Sequence, residues 1–256
     1  MVYLQGTLTN NILKKTEIIY GINPVLEAIN EGKEIEKLFL LKTMQPHKAN
    51  ELKGAATAFK IPFQYVPKEK LNRLTRQNHQ GAVAVISTVS YTDIETLLPT
   101  VYETGKMPLI LILDKITDVR NLGSIARSAE CAGVDAIVIP TRGSAMINAD
   151  ALKTSAGALN KIPVCRQSYL KETIVFLKNS GLEIIGATEK ANINHYEHDY
   201  NKPVALIMGS EEKGISEEYL ELCDKTVKIP MTGTTQSLNV SVATGIVLFE
   251  IVKQRL

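Results

Sequence analysis

Tryptophan is absent from the 256 residues, and all aromatics together make up 5%. A broad aromatic platform for stacking bases is therefore not expected. Cysteine is scarce. Cys131, Cys165 and Cys223 lie far apart and form no CxxC pair, which argues against a disulfide framework or a thiolate metal centre and for a reduced, cytoplasmic setting. His195 and His198 have metal-like spacing, but no cysteine or third histidine stands near them, so no metal is expected. The first residues show no charged stretch leading into an apolar one, so no export signal is expected. No apolar run approaches the ~18 residues of a membrane span. GxGxxG after a strand and GxxxxGK[ST] are both missing, which weakens dinucleotide-enzyme and P-loop readings. Charge of one sign is lacking too. A net +2 neither demands nor excludes nucleic acid, and any basic face must be local.

What is present is a core-forming composition, 45% hydrophobic, without internal repeats. Residues 1–17 read as a polar tail. Asn23-Pro24 reads as an N-cap with proline at the first helical position. Strands are expected at 35–41, 62–66 and 82–88, and helices at 47–59 and 67–76, giving a small α/β unit over residues 18–90. Residues 91–106 read as a linker or short helix. Beyond it, residues 107–256 alternate apolar strands (109–113, 136–139, 182–187, 204–208) with helices (121–132, 149–155, 169–179, 216–223, 240–255). Fully apolar strands between helices predict a parallel α/β sheet. The last helix is apolar around most of its girth. Val240, Ala243, Val247 and Ile251 make one face, and Val242, Ile246 and Phe249 another, so a second copy of the chain is an expected partner.

Three polar segments follow expected strands, where open α/β sheets place ligands. In Asp114-Lys-Ile-Thr-Asp-Val-Arg-Asn-Leu-Gly-Ser-Ile-Ala-Arg127, marked by Asn121, Gly123 and Arg127, Gly123 and Ser124 leave a face without bulk beneath Arg127, whose guanidinium can fork onto phosphate or ribose oxygens. The plain alternative is a surface pair with Glu130. In Gly209-Ser-Glu-Glu-Lys-Gly214, Gly209 lets a ligand approach the backbone, and Glu211 can orient a hydroxyl or accept its proton. In Ile229-Pro-Met231 through Ser237-Leu-Asn239, a polar loop feeds the last helix. Ser237 or Asn239 can cap that helix for about 1 kcal/mol, and its free N–H groups suit an anion.

In that order, N-x-G-x-x-x-R, G-S-E-x-x-G and I-P-M…S-L-N-V-S closely resemble the SpoU family of RNA ribose 2′-O-methyltransferases. The resemblance covers residues 107–256. Tyr20-Gly-Ile-Asn-Pro-Val-Leu-Glu-Ala and Asn78-His-Gln-Gly81 resemble that family's substrate-binding domain, which has the fold of a small ribosomal protein. The layout is most similar to the bacterial 23S rRNA guanosine 2′-O-methyltransferase branch. A tRNA or rRNA-adenosine target and a non-catalytic assembly factor are the alternatives. The resemblance implies a deep trefoil knot, a homodimer and bent S-adenosylmethionine. It implies that Gly209, Ile229 and Leu238, with Met231 and Ala187, hold the cofactor. It places Asn121, Arg127, Glu211, Ser237 and Asn239 in the catalytic set. Glu212 stands where many members have glycine, and Gln236 where glutamate is common.

For the small unit, Lys70, Arg73 and Arg76 lie away from Leu71 and Leu74 on one helix. They form a basic ridge ending in Asn78, His79 and Gln80, suited to RNA phosphates and splayed bases. A merely solvated helix face is the alternative.

Overall fold

The computed structural model describes residues 17–234 and 237–256. In chain order the smaller unit comprises β1 (Ile18–Tyr20), α1 (Ile22–Asn30), β2 (Ile35–Leu41), α2 (Pro46–Ala58), β3 (Phe63–Val66), α3 (Lys68–Leu74) and β4 (Ala82–Ile86). The larger unit follows with α4 (Ile94–Glu103), β5 (Leu109–Asp114), α5 (Val119–Cys131), β6 (Ala136–Pro140), α6 (Ala149–Thr154), β7 (Val164–Gln167), α7 (Leu170–Asn179), β8 (Glu183–Ala187), β9 (Ile193–Asn194), β10 (Val204–Gly209), α8 (Glu217–Leu220), β11 (Lys225–Lys228) and α9 (Val240–Arg255).

The smaller sheet runs β1-β4-β2-β3 and is mixed, since only β2 and β3 are parallel. The larger sheet runs β7-β6-β5-β10-β8-β11-β9 with every described pairing parallel. Its strands are buried on both faces. Leu109, Leu111 and Leu113 of β5 face a core shared with α5, α6 and α9, while Ile110 and Ile112 face a second core shared with α4 and α7. The result is a three-layer α/β/α domain in which the C-terminal strand ends form one rim.

Several expectations are refined. Asn23 is not the N-cap of α1, because Gly21, at φ 94°, turns the chain one residue before the helix begins. Asp118 caps α5 by accepting from the N–H groups of Arg120 and Asn121 at 2.8 Å, so the helix starts at Val119 and Asn121 sits in its first turn. The segment after residue 90 is not a free linker: α4 buries Ile94 and Leu98 in the second core despite Pro99.

The two units meet through a buried polar cluster. Glu36 of β2 is 6% exposed and accepts from Tyr91 Oη and, at 2.9 Å, from Ile147 N. Arg166 of β7 pairs with its Oε2 at 3.5 Å, donates to the carbonyls of Ile35 and Glu36 at 3.1 Å, and lies 4.0 Å from the Tyr91 ring centre. Burial, then the Glu36 charge, pushes the Tyr91 phenol well above its ordinary pKa, which suits a hydroxyl that donates.

Candidate active site

The third polar segment, the second and the first converge at the C-terminal rim. Asn239 is the N-cap of α9, its Oδ1 accepting from Ser241 N at 3.0 Å. Its Nδ2 points the other way and donates to Glu211 Oε1 at 2.6 Å and to Asn121 Oδ1 at 3.0 Å. Asn121 Nδ2 and Val240 N also donate to Glu211 Oε1, each at 3.2 Å. Three N–H groups from two helix starts thus fix one carboxylate oxygen, while Oε2 has no hydrogen-bond partner among the described residues. One end of the Asn239 amide thus caps α9, and the other holds Glu211 and Asn121.

Beside this cluster lies a cleft of about 410 Å³. Ala187, Met208 and Val227 floor it from the ends of three neighbouring strands, held level by the pairings Met208–Ala187 and Ala187–Val227. Gly209, Ile229, Met231, Ser237 and Leu238 line it, as does Glu211. Glu189, Lys190 and Lys213 add charge at its edge. The cleft therefore joins apolar walls to a polar mouth, with a fixed carboxylate where it meets Asn121 and Asn239.

Gly209 lines the cleft, and its missing side chain also makes room for the following loop. A Cβ there would fall 2.1 Å from Gly214 C and 2.2 Å from Ile215 N. The space its missing side chain leaves is taken by this chain's own loop, closed by Gly214 N–H to Ser210 O at 2.8 Å. Asp114, buried at the end of β5, anchors the same loop, its Oδ2 accepting from Ser216 N at 2.7 Å and Ser216 Oγ at 2.6 Å. Asp114 opens the first polar segment of the sequence, and a carboxylate ending an otherwise apolar strand is the signal for the anchoring role it plays here.

A family model described as the SpoU rRNA methylase family matches residues 108–249, and one described as RNA 2′-O ribose methyltransferase substrate binding matches residues 18–92. The chain belongs to the SpoU family of RNA methyltransferases. It is 34% identical over 239 residues to YacO of Bacillus subtilis, named for the TrmH family of tRNA/rRNA methyltransferases, covering 93% of this chain and 96% of that one. A protein of the same family name from Staphylococcus saprophyticus is 37% identical over 238 residues, covering 93% and 96% of the two chains. Among solved structures, the fold matches an AdoMet-bound rRNA methyltransferase from Sinorhizobium meliloti with TM-score 0.61 at 24% identity, covering 98% of this chain and 97% of that one. AviRb from Streptomyces viridochromogenes, also solved with AdoMet, matches with TM-score 0.60 at 22% identity over 93% and 90% of the two chains.

Two residues of this SpoU chain stand apart from their expected places. Arg127 is exposed and does not line the cleft. Six residues beyond Asn121 is ~9 Å of helix rise and roughly 120° around the axis, so it sits on a different side of α5 from the residue that holds Glu211, outside both clefts that contain Glu211. Nor does it pair with Glu130, which binds Lys161 at 3.2 Å. Gly123 does not clear space for it either. Gly123 is buried, and a Cβ there would meet Thr154 Cβ at 2.7 Å, so the glycine lets α5 approach α6.

His79 is the other. It is 8% exposed, accepts from Gly81 N through Nδ1 at 2.9 Å and meets Asn72 Oδ1 through Nε2 at 3.0 Å. Burial, then Lys68, holds its pKa below the ordinary value, in keeping with a neutral ring whose Nδ1 accepts. It locks the turn before β4 and is not offered to a ligand. Lys70, Arg73, Arg76, Asn78 and Gln80 are exposed, but the ridge is not carried by one helix: α3 stops at Leu74, Thr75 is extended, and Arg76 lies beyond its end. His198 pairs with Glu183 at 2.9 Å, and no cluster of three potential metal ligands occurs among the described residues. Glu212 is exposed beside the cleft, and Gln236 lies outside the described residues. No described helix is long and apolar enough to cross a membrane.

Proposed function

We propose that this SpoU family member transfers a methyl group from S-adenosylmethionine to a ribose 2′-hydroxyl of RNA, with a guanosine of 23S rRNA as the target. The observation that carries this reading is the Glu211 carboxylate, pinned by Asn121, Asn239 and Val240 at the mouth of the Ala187–Gly209–Ile229 cleft. The cleft suits the cofactor. Its volume lies in the range of small-molecule sites, its floor is apolar, and its edge carries both carboxylates and an ammonium. Ala187, Gly209, Ile229, Met231 and Leu238 would hold the molecule there. The cofactor's sulfonium supplies an already activated methyl group.

What remains for the protein is aim and proton handling. A ribose hydroxyl is a poor nucleophile until its oxygen is aligned and its proton has an acceptor. Glu211 Oε2 is the acceptor best placed beside the cleft, because Oε1 is held by three donors. Ser237, exposed at the cleft edge, is placed to touch either ligand. Methyl incorporation into 23S rRNA and into tRNA, followed by mapping of 2′-O-methyl sites, tests the reaction and its target together. Incorporation into neither RNA would overturn it.

The cofactor site has its own test. Ala187→Leu places a larger side chain into the cleft at the end of β8. Calorimetric affinity for S-adenosylmethionine should fall at least tenfold, while the far-ultraviolet spectrum stays unchanged. Undiminished affinity in the folded variant would remove Ala187 from the site. Gly209→Val is a poor probe, since it breaks the 210–214 loop before any ligand arrives.

The same reading makes the active species a homodimer. Val242 and Phe249 of α9 are 50% and 49% exposed, while Val240, Val247 and Ile251 are buried. Such an apolar strip on a well-packed helix suits a two-fold contact. Gly245 lies against Ser128, the neighbour of Arg127 in sequence, so α9 runs beside the part of α5 that bears the arginine. A second copy seated there would receive Arg127 at its own Glu211. Sedimentation at micromolar concentration should give twice 28.2 kDa, and a monomer would overturn the dimer. The knotted topology belongs to the same proposal, supported by β10 inserting between the earlier strands β5 and β8.

A further inference from the structure

Two more clefts open from the rim, and one arginine lines both. The first, about 580 Å³, contains Asn121 and Glu211 together with Lys115, Lys213, Arg142 and Gly143. The second, about 370 Å³, lies between the two units and is walled by Lys37, Phe63 and Gln64 on one side and by Thr141, Arg142 and Gly143 on the other. Arg142 and Gly143 are therefore the threshold between the inter-unit groove and the catalytic pocket.

The groove between the units is mostly basic, whereas the pocket beside Glu211 balances Lys115, Arg142 and Lys213 with Asp118, Glu211 and Glu212. The groove holds Lys37, Arg142 and Arg166 against Glu36, and Arg166 is already committed to Glu36. Arg142 is exposed and has no hydrogen-bond or ion-pair partner among the described residues. Lys37 and Lys70 crowd one another over Phe39, their Nζ atoms 5.6 and 5.2 Å from its ring centre. Burial and then Lys70 hold the Lys37 ammonium below its ordinary pKa, a like-charge arrangement that an anion between them would relieve. Lys70 in turn opens the exposed ridge of α3. A chain of cations thus runs from Arg73 and Lys70, through Lys37, to Arg142 and on to Lys115 beside Glu211.

We propose that the inter-unit groove is the track of single-stranded RNA into the active site, and that Arg142 grips the backbone phosphate next to the target ribose. The inference rests on the RNA methyltransferase reading and adds a route and an anchor to it. Phosphodiesters carry the charge that this line of cations matches, and a guanidinium can take two phosphate oxygens at once. Phe63, packed against the smaller unit's core, gives the groove wall an apolar contact for an unstacked base. Holding the phosphate at the threshold sets the ribose against the Glu211 pocket, so Arg142 fixes where along the strand methylation falls.

The test is fluorescein-labelled, mixed-sequence single-stranded RNA titrated with the full-length protein across a salt series. Each lost phosphate contact should lower the slope of log affinity against log salt by about 0.7. Arg142→Gln should lose that much slope and several-fold in affinity, Arg142→Lys should keep the slope, and Lys171→Gln, on α7, should change neither. With rRNA as methyl acceptor, Arg142→Gln should raise KM more than it lowers kcat, and S-adenosylmethionine affinity should not move. An unchanged salt slope and KM in Arg142→Gln would overturn the track while leaving the catalytic proposal intact. If the unmodified protein binds RNA but methylates none, the catalytic proposal fails, and the slopes still decide the track.

Discussion

Arg127→Ala is expected to lose methyl transfer by ~10²–10⁴-fold, the usual cost of removing a positioning or proton-handling group, while keeping its fold and its cofactor affinity. The arginine lies roughly 120° around α5 from Asn121, exposed and outside the cleft of its own chain. An exposed group with no hydrogen-bond or ion-pair partner among the described residues contributes little to stability, so the variant should melt normally. Its loss would be felt only when RNA is engaged across two copies, which lowers turnover without weakening ground-state cofactor binding. Arg127→Lys discriminates further, since it keeps the charge but not the two-pronged donor geometry. The decisive measurement is mixing. Arg127→Ala and Glu211→Gln proteins are each expected to be nearly inactive. A heterodimer of the two carries one site with both residues intact, so statistical exchange should restore roughly a quarter of the sites. Single-turnover transfer that does not rise on mixing would show that the arginine does not cross between copies. Transfer by Arg127→Ala within a few-fold of the unmodified protein would remove it from the mechanism.

Glu36→Ala is expected to cost about 3–5 kcal/mol, the range for breaking a buried ion pair and stranding its partner. Arg166 is only 11% exposed at its side chain, and it would keep its carbonyl contacts but lose its counter-ion. Ile147 N and the Tyr91 hydroxyl would lose their acceptor at the same time. Urea denaturation should report the loss. Glu36→Leu with Arg166→Met should recover the part due to the stranded charge, while the unpaired Tyr91 hydroxyl and Ile147 N–H keep it below the unmodified protein. A Glu36→Ala protein as stable as the unmodified chain would mean that water or rearrangement satisfies the junction. The same chemistry explains why deleting residues 1–90 is a harsh way to separate the units, since the cut removes Glu36 from beneath Arg166.

Much of the fold was legible because buried parallel strands read as unbroken apolar runs. Leu109–Asp114 and Val204–Gly209 stood out for that reason. Lys225–Lys228 did not, because one valine among polar residues carries no period, and its place is set by the neighbouring strands β8 and β9. Val164–Gln167 was missed as well, since an edge strand half-apolar and half-polar resembles a loop. Of the site, the Asn121, Glu211 and Asn239 cluster and four cleft-lining residues, Gly209, Ile229, Met231 and Leu238, were readable from motif order, whereas Ala187 lies outside the motifs. The roles of single glycines and polar residues were not. Gly209 and Gly123 are required by other parts of the backbone, and His79 by a turn, and sequence does not reveal what fills the space around a residue. Arg142 gave no signal, because a lone arginine in a loop gains its meaning only from the two clefts that share it.

The double engagement of Asn239 restricts what that position can hold. Its oxygen closes the start of a 16-residue helix, and its nitrogen secures Glu211 and Asn121. Aspartate would cap as well but would set a second carboxylate against Glu211. Serine would cap but has no N–H group to hold the carboxylate. Alanine would do neither, so its effect would mix a frayed helix with a loosened acid. Position 239 therefore admits one side chain, chosen jointly by a helix that needs an acceptor and a carboxylate that needs a donor.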